Sequence, residues 1–114
     1  MKLIKKPWGQ EEVIEINDKY MVKKLTMLSG HRCSLQYHNY KEETIYVLSG
    51  KLKIVIGKKK ENLNSKIYSS GETITISPGT IHRMEAVETS VYLEASTPEM
   101  DDVIRLSDDY DRKE

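Results

Sequence analysis

GHRCSLQYHNYKEETIYVLSG, residues Gly30 to Gly50, decides the fold. In its first half Cys33, Leu35 and Tyr37 alternate with Gln36 and His38. A strand there puts the first three on one face and Gln36 and His38 on the other. Two donor-bearing side chains two residues apart on one strand, about 7 Å by the rise per residue, can converge on a single ion. Asn39 to Glu42 read as a turn, and Glu43 opens the apolar strand Ile45 to Leu48. A return strand there places the Glu43 carboxylate beside the first pair. His82 arrives from elsewhere, just after the tight turn Pro78-Gly79-Thr80.

The same alternation recurs on both sides, at Glu12 to Ile16, Lys51 to Ile56, Thr73 to Ser77 and Val91 to Ala95. Turn signals separate these runs: Ser29-Gly30, Ser49-Gly50, Gly57, Ser69-Ser70-Gly71 and Pro78-Gly79. Gly57 to Lys66 reads as a long, mobile hairpin connection, and only the stretch after Pro98 suits a short helical turn. Many short strands joined by regular turns imply an all-β sandwich or barrel.

A chain of 114 residues fits one domain, 1–114, and is long enough to bury a core without disulfide staples. Cys33 has no internal partner, so a reducing compartment is expected. The N-terminal MKLIKKPWG has no apolar stretch behind its basic residues, and no run approaches the roughly 20 apolar residues of a membrane helix. The expectation is a cytoplasmic protein. Eighteen Lys and Arg balance eighteen Asp and Glu, which leaves no net field to draw nucleic acid or membrane. Lys58-Lys59-Lys60 and the acidic segment from Glu99 to Asp111 read as solvated faces. With no Phe, seven Tyr and one Trp must supply the aromatic packing.

The spacing around these residues resembles the cupin superfamily. Its first motif is Gly, five residues, His-x-His, three or four residues, Glu, six residues, Gly. Here Gly30, Gln36-Tyr37-His38, Glu43 and Gly50 keep that spacing, with Gln for the first His. The second motif appears as Gly71, then Ser77-Pro78-Gly79, then His82, with Ala86 where Asn is usual. SLQYHNYKEETIYVLSGKLKIVIG resembles the C-terminal cupin domain of type II mannose-6-phosphate isomerases, and KPWGQEEV, PGTIHRMEA and DDVIRLSDDYDR agree with it.

The resemblance implies a single-domain cupin, a small jelly-roll β-barrel. It implies one divalent metal held by Gln36, His38, Glu43 and His82, with Zn expected and Mn, Fe, Co or Ni as alternatives. The implied activity is aldose–ketose isomerisation of a sugar phosphate through an enediol. Glu94 matches a Glu in the family's last core strand and is the candidate base. Lys41 and Arg83, cations beside the motifs, are candidates to hold a phosphate; each would otherwise be a solvated surface charge. Lys6 and Trp8 are candidates to close one end of the pocket; Trp8 is otherwise a core aromatic, which is the preferred reading. His31 has no motif position and is read as a packing residue. Asn39, Tyr40, Lys41 and Thr44 stand where the isomerases have two His, Arg and His, and are expected at the mouth of the site. Those departures keep open a non-catalytic sugar-binding cupin. The two His and one carboxylate keep open a non-haem iron oxygenase. A homodimer is expected, paired through a sheet edge.

Overall fold

The computed structural model describes residues 2–110. Asp111 and Arg112, at the end of the C-terminal motif, lie outside the described residues. Nine strands follow one another: β1 Lys2–Lys6, β2 Gly9–Ile16, β3 Met21–Met27, β4 Leu35–Tyr37, β5 Glu43–Lys59, β6 Asn62–Tyr68, β7 Thr73–Ile76, β8 Ile81–Ser96 and β9 Ile104–Ser107. There is no helix among the described residues, so none long and apolar enough to cross a membrane. After Pro98 the chain makes a turn at Met100-Asp101 and enters β9, where the sequence suggested a helical turn.

The sheet is built on β5 and β8, antiparallel along nearly their whole length from Glu43↔Ser96 to Gly57↔Ile81. One half of β8 also carries β3, β2 and β1 in succession; the other half carries β4 and then β9. The outer edge of β5 takes β7 and then β6. On a straight strand His82 and Glu94 would sit about 40 Å apart, more than the longest dimension of the molecule, 35 Å. Both nevertheless reach Glu43. The β5–β8 ribbon therefore curls back on itself, and its inner face becomes the wall of a barrel.

The bend has a local cause. Ser49-Gly50 is a bulge inside β5, not a turn between two strands: pairing with β8 slips at Val47, Ser49 and Lys51. Gly50 has φ 88°, and a Cβ there would lie 2.3 Å from the Thr89 carbonyl oxygen. Glycine suits a bulge and a turn equally well, which is why its sequence signal is ambiguous. Gly50→Ala is expected to cost about 2–3 kcal/mol, since backbone strain and a backbone clash add. Gly79, with φ 80° and open space around its would-be Cβ, should lose only the conformational term of about 1 kcal/mol on the same change. Urea unfolding of the two variants reads the difference directly; equal midpoints would remove the clash from the account.

The lysine-rich segment is likewise shorter than expected. β5 continues to Lys59 and β6 starts at Asn62, so only Lys60-Glu61 connect them. Inside the curl lie Trp8, Leu25, Met27, Ile45, Val47, Leu52, Ile54, Ile76, Met84 and Tyr92. Of the aromatics only Trp8 and Tyr92 are fully buried; Met21, Met27 and Met84 fill space that Phe often takes.

Candidate metal centre

β4 and the turn after it deliver the first ligands. Gln36 pairs with His82 on β8, while Arg32 bridges Glu85. Four residue steps on one strand thus face three on the other, a bulge between Arg32 and Gln36. This breaks the alternation read from the sequence. Cys33, expected on the opposite face, lines the same cavity as Gln36 and His38.

His38, Glu43 and His82 are buried, and one ligand atom from each lies within 4.8 Å of the others. His38 Nδ1 donates to the Asp102 carbonyl, and His82 Nδ1 donates to the Thr80 carbonyl at 2.9 Å. A carbonyl only accepts, so each Nδ1 carries a ring proton and each Nε2 is the atom left facing Glu43, where it can share a proton or hold a metal ion. Both Nε2 atoms point at the same oxygen, Glu43 Oε1, at 3.1 Å. His82 Nε2 is close to that oxygen yet makes no aligned hydrogen bond to anything described. Two imidazole Nε2 atoms and a carboxylate oxygen converging in a buried space repel one another unless a proton or a metal ion lies between them. The residues present therefore fit a divalent ion, with both imidazoles already oriented by their outer partners. Gln36 lines the same cavity, and its Oε1 accepts a 2.7 Å hydrogen bond from Ser34.

Glu94 stands next to this cluster. Its Oε2 accepts from Lys41 Nζ at 3.1 Å, and the carboxyl touches Glu43 closely enough to share a proton. Burial first, then the Glu43 charge, pushes the Glu94 carboxyl up to about 7 against the pull of Lys41. Burial alone would push Glu43 up as well. The His38 bond, the nearby His82 ring and the Lys41 charge outweigh it and hold Glu43 well below the usual carboxylate range. Burial disfavours the Lys41 ammonium, but Glu94 and Glu43 more than offset it, and the group stays charged.

Lys41 is thus a buried partner of Glu94, not an open cation at the mouth. Arg83 is corrected more sharply. It follows His82 on β8 and so lies on the opposite face, buried beside Asp109, where its Nε donates to the Cys33 carbonyl at 2.9 Å; it does not line the cavity. Thr44 also points away, its hydroxyl 2.8 Å from that of Thr75. Tyr40 is 77% exposed and does not line the cavity either. His31 lies outside the cluster, stacked on Tyr110 and 2.6 Å from its hydroxyl.

The cavity also contains charged residues that the motifs did not point to. Glu11 and Lys23 are both buried and 3.2 Å apart, with Lys6 beside Glu11. Arg105 comes from β9, and the Tyr92 hydroxyl on the wall has no partner among the described residues. Trp8 and Lys6 line this end.

Residues 2–108 match the family described as mannose-6-phosphate isomerase C-terminal. The chain belongs to this family. Among curated relatives of the mannose-6-phosphate isomerase C-terminal family, mannose-1-phosphate guanylyltransferase of Escherichia coli K12 is 31% identical over 117 residues, covering 94% of this chain and 22% of its own length. The chain thus spans about a fifth of such relatives, which carry the names of guanylyltransferases where the sequence suggested isomerases. An RmlC-like cupin from Shewanella frigidimarina superposes with TM-score 0.77 at 14% identity, over 88% of this chain and 86% of that one. Oxalate decarboxylase of Bacillus subtilis, a protein with Mn(II) centres, gives 0.78 at 18%, over 93% and 30%. The domain has the cupin fold.

Proposed function

We propose that this cupin is a metal-dependent aldose–ketose isomerase of a sugar phosphate. The observation that carries the reading is Glu94, a buried carboxyl on the cavity wall in contact with the carboxylate of a His–Glu–His cluster. His38, Glu43 and His82 would hold the ion, with the Gln36 amide oxygen as a fourth, neutral donor. Two imidazoles, one carboxylate and one amide oxygen suit Zn and also Mn, Fe, Co or Ni. Such an ion, when bound, polarises a sugar carbonyl without redox change.

The chain's own residues supply the rest. Glu94, whose Oε2 accepts from Lys41, would take the proton from the carbon beside the carbonyl and return it to the carbonyl carbon, while the hydroxyl proton passes to the former carbonyl oxygen. Lys6, Lys23 and Lys41 match Glu11, Glu43 and Glu94 in charge around the cavity. A divalent ion tips that balance to positive, so the site favours an anionic ligand such as a phosphate ester. Tyr92 offers a hydroxyl to a sugar oxygen.

NMR of mannose 6-phosphate incubated with metal-loaded protein tests this. Loss of the aldose anomeric signal, stopped by a chelator and restored by added metal, is the expected result. Bound sugar phosphate without turnover would make the domain a sugar-binding module. Oxygen consumption after iron loading would make it an oxygenase, and neither binding nor turnover would sink the reading.

We also propose a homodimer. β1 ends the sheet, and its outer edge pairs with nothing among the described residues; Leu3 on it is 52% exposed. Light scattering should give twice the chain mass. A monomer at all working concentrations would count against pairing.

A further inference from the structure

The segment after β8 runs antiparallel along the whole ligand-bearing stretch. Thr97 bonds Glu42 through both its amide and its hydroxyl, each at 3.0 Å. Asp102 comes next. Its Oδ1 accepts from the Asn39 amide at 3.0 Å, and its Oδ2 accepts from the amides of Tyr40 and Lys41 at 2.7 and 2.9 Å. Its carbonyl takes the His38 Nδ1 proton. Farther on Arg105 pairs with Gln36, Asp109 takes two bonds from Arg32 at 2.6 and 3.0 Å, and Tyr110 meets His31. Asp102 and Asp109 are thus bonded anchors of a segment whose composition suggests only a solvated acidic face.

We infer that Asp102 is a positioning residue through which the binding of the ion and the docking of residues 97–110 become one coupled event. The inference rests on the metal reading of the His38, Glu43 and His82 cluster. Asp102 binds both sides of the problem. Its carboxylate gathers three successive amides of the turn that separates His38 from Glu43, which sets how far apart these two ligands stand. Its carbonyl fixes the ring orientation and tautomer of His38. Undocking the segment releases the turn and the ring together, so an ion that needs both favours the docked state. Linkage then requires the docked segment to favour the ion by the same factor.

Two measurements test this. Chelator competition with Zn²⁺ and Mn²⁺ should show affinity on the order of 10- to 100-fold weaker in Asp102→Ala. The neighbouring exposed Asp101→Ala should match the wild type, and Asp102→Asn, which keeps one acceptor oxygen, should recover part of the loss. In the wild-type protein, hydrogen exchange at the amides of residues 39–41 and 104–107 should slow on loading with Zn²⁺ relative to the chelated form. Unchanged affinity in a folded Asp102→Ala, or equal exchange in loaded and chelated protein, overturns the coupling. If Asp102→Ala does not fold, the exchange comparison decides alone. A wild-type protein that takes up neither metal would fail the cluster reading itself, and the coupling with it.

Discussion

His82→Ala is expected to weaken divalent-ion binding on the order of a hundredfold or more, the upper end of what losing even an outer-shell partner costs. The reason is geometric. His82 is fully buried, held through Nδ1 to the Thr80 carbonyl, and its Nε2 meets the same Glu43 oxygen as His38. Gln36 and His38 come from β4 and its turn, Glu43 from β5, and only His82 ties β8 into the cluster. Without it the ion would face an open side and a partly solvated carboxylate. Elemental analysis of the desalted protein reads the effect, with circular dichroism to show that the sheet is kept. His38→Ala should behave alike, and the double variant should bind more weakly than either single one, because each imidazole is a separate donor. Full metal content in both single variants would refute the cluster.

Glu94→Gln should lower turnover by roughly a hundredfold or more, the usual worth of a general base. The amide oxygen of Gln can accept from Lys41 as Glu94 Oε2 does, and Lys41 keeps Glu43 at 3.9 Å. The pocket's packing and hydrogen bonds therefore survive while the proton acceptor is lost. Metal content should stay at the wild-type level, since Glu94 is outside the His–Glu–His cluster. That combination separates a base from a structural carboxylate: a merely structural Glu94 would change melting temperature or metal content and leave turnover alone. Unchanged turnover in a metal-loaded Glu94→Gln would take the residue out of the reaction.

The fold and the His38–Glu43–His82 cluster were legible because both rest on periodicity and spacing. Glycine–ligand–glycine intervals place Gln36, His38, Glu43 and His82, and alternation places the strands around them. Face assignments were less secure. The bulge between Arg32 and Gln36 turned Cys33 into the cavity, and local alternation carries no mark of a bulge. Arg83 was misplaced for the opposite reason. It follows a ligand directly, and on a regular strand that adjacency puts it on the other face. Glu11 and Lys23 had a signal that the motifs overshadowed. In Met21-Val22-Lys23-Lys24-Leu25-Thr26-Met27 the lysine at 23 shares the phase of Met21, Leu25 and Met27, and Glu11 shares that of Val13. A charge in the apolar phase of a half-buried strand has to find a partner inside, and here the two find each other.

The spine of β5 and β8 also has consequences for how the chain reaches this structure. Glu43 pairs with Ser96 and Gly57 with Ile81, so the central ladder joins residues with β6 and β7 strung between them. Such pairings must close long loops before they return any energy, and sheets dominated by them fold in roughly milliseconds to seconds, not microseconds. The ligands inherit that order. Gln36, His38 and Glu43 lie close in sequence and can meet early, but His82 reaches them only after the long ladder has formed. An ion added during refolding should therefore leave the folding rate almost unchanged and slow unfolding instead, as expected for an interaction completed after the transition state.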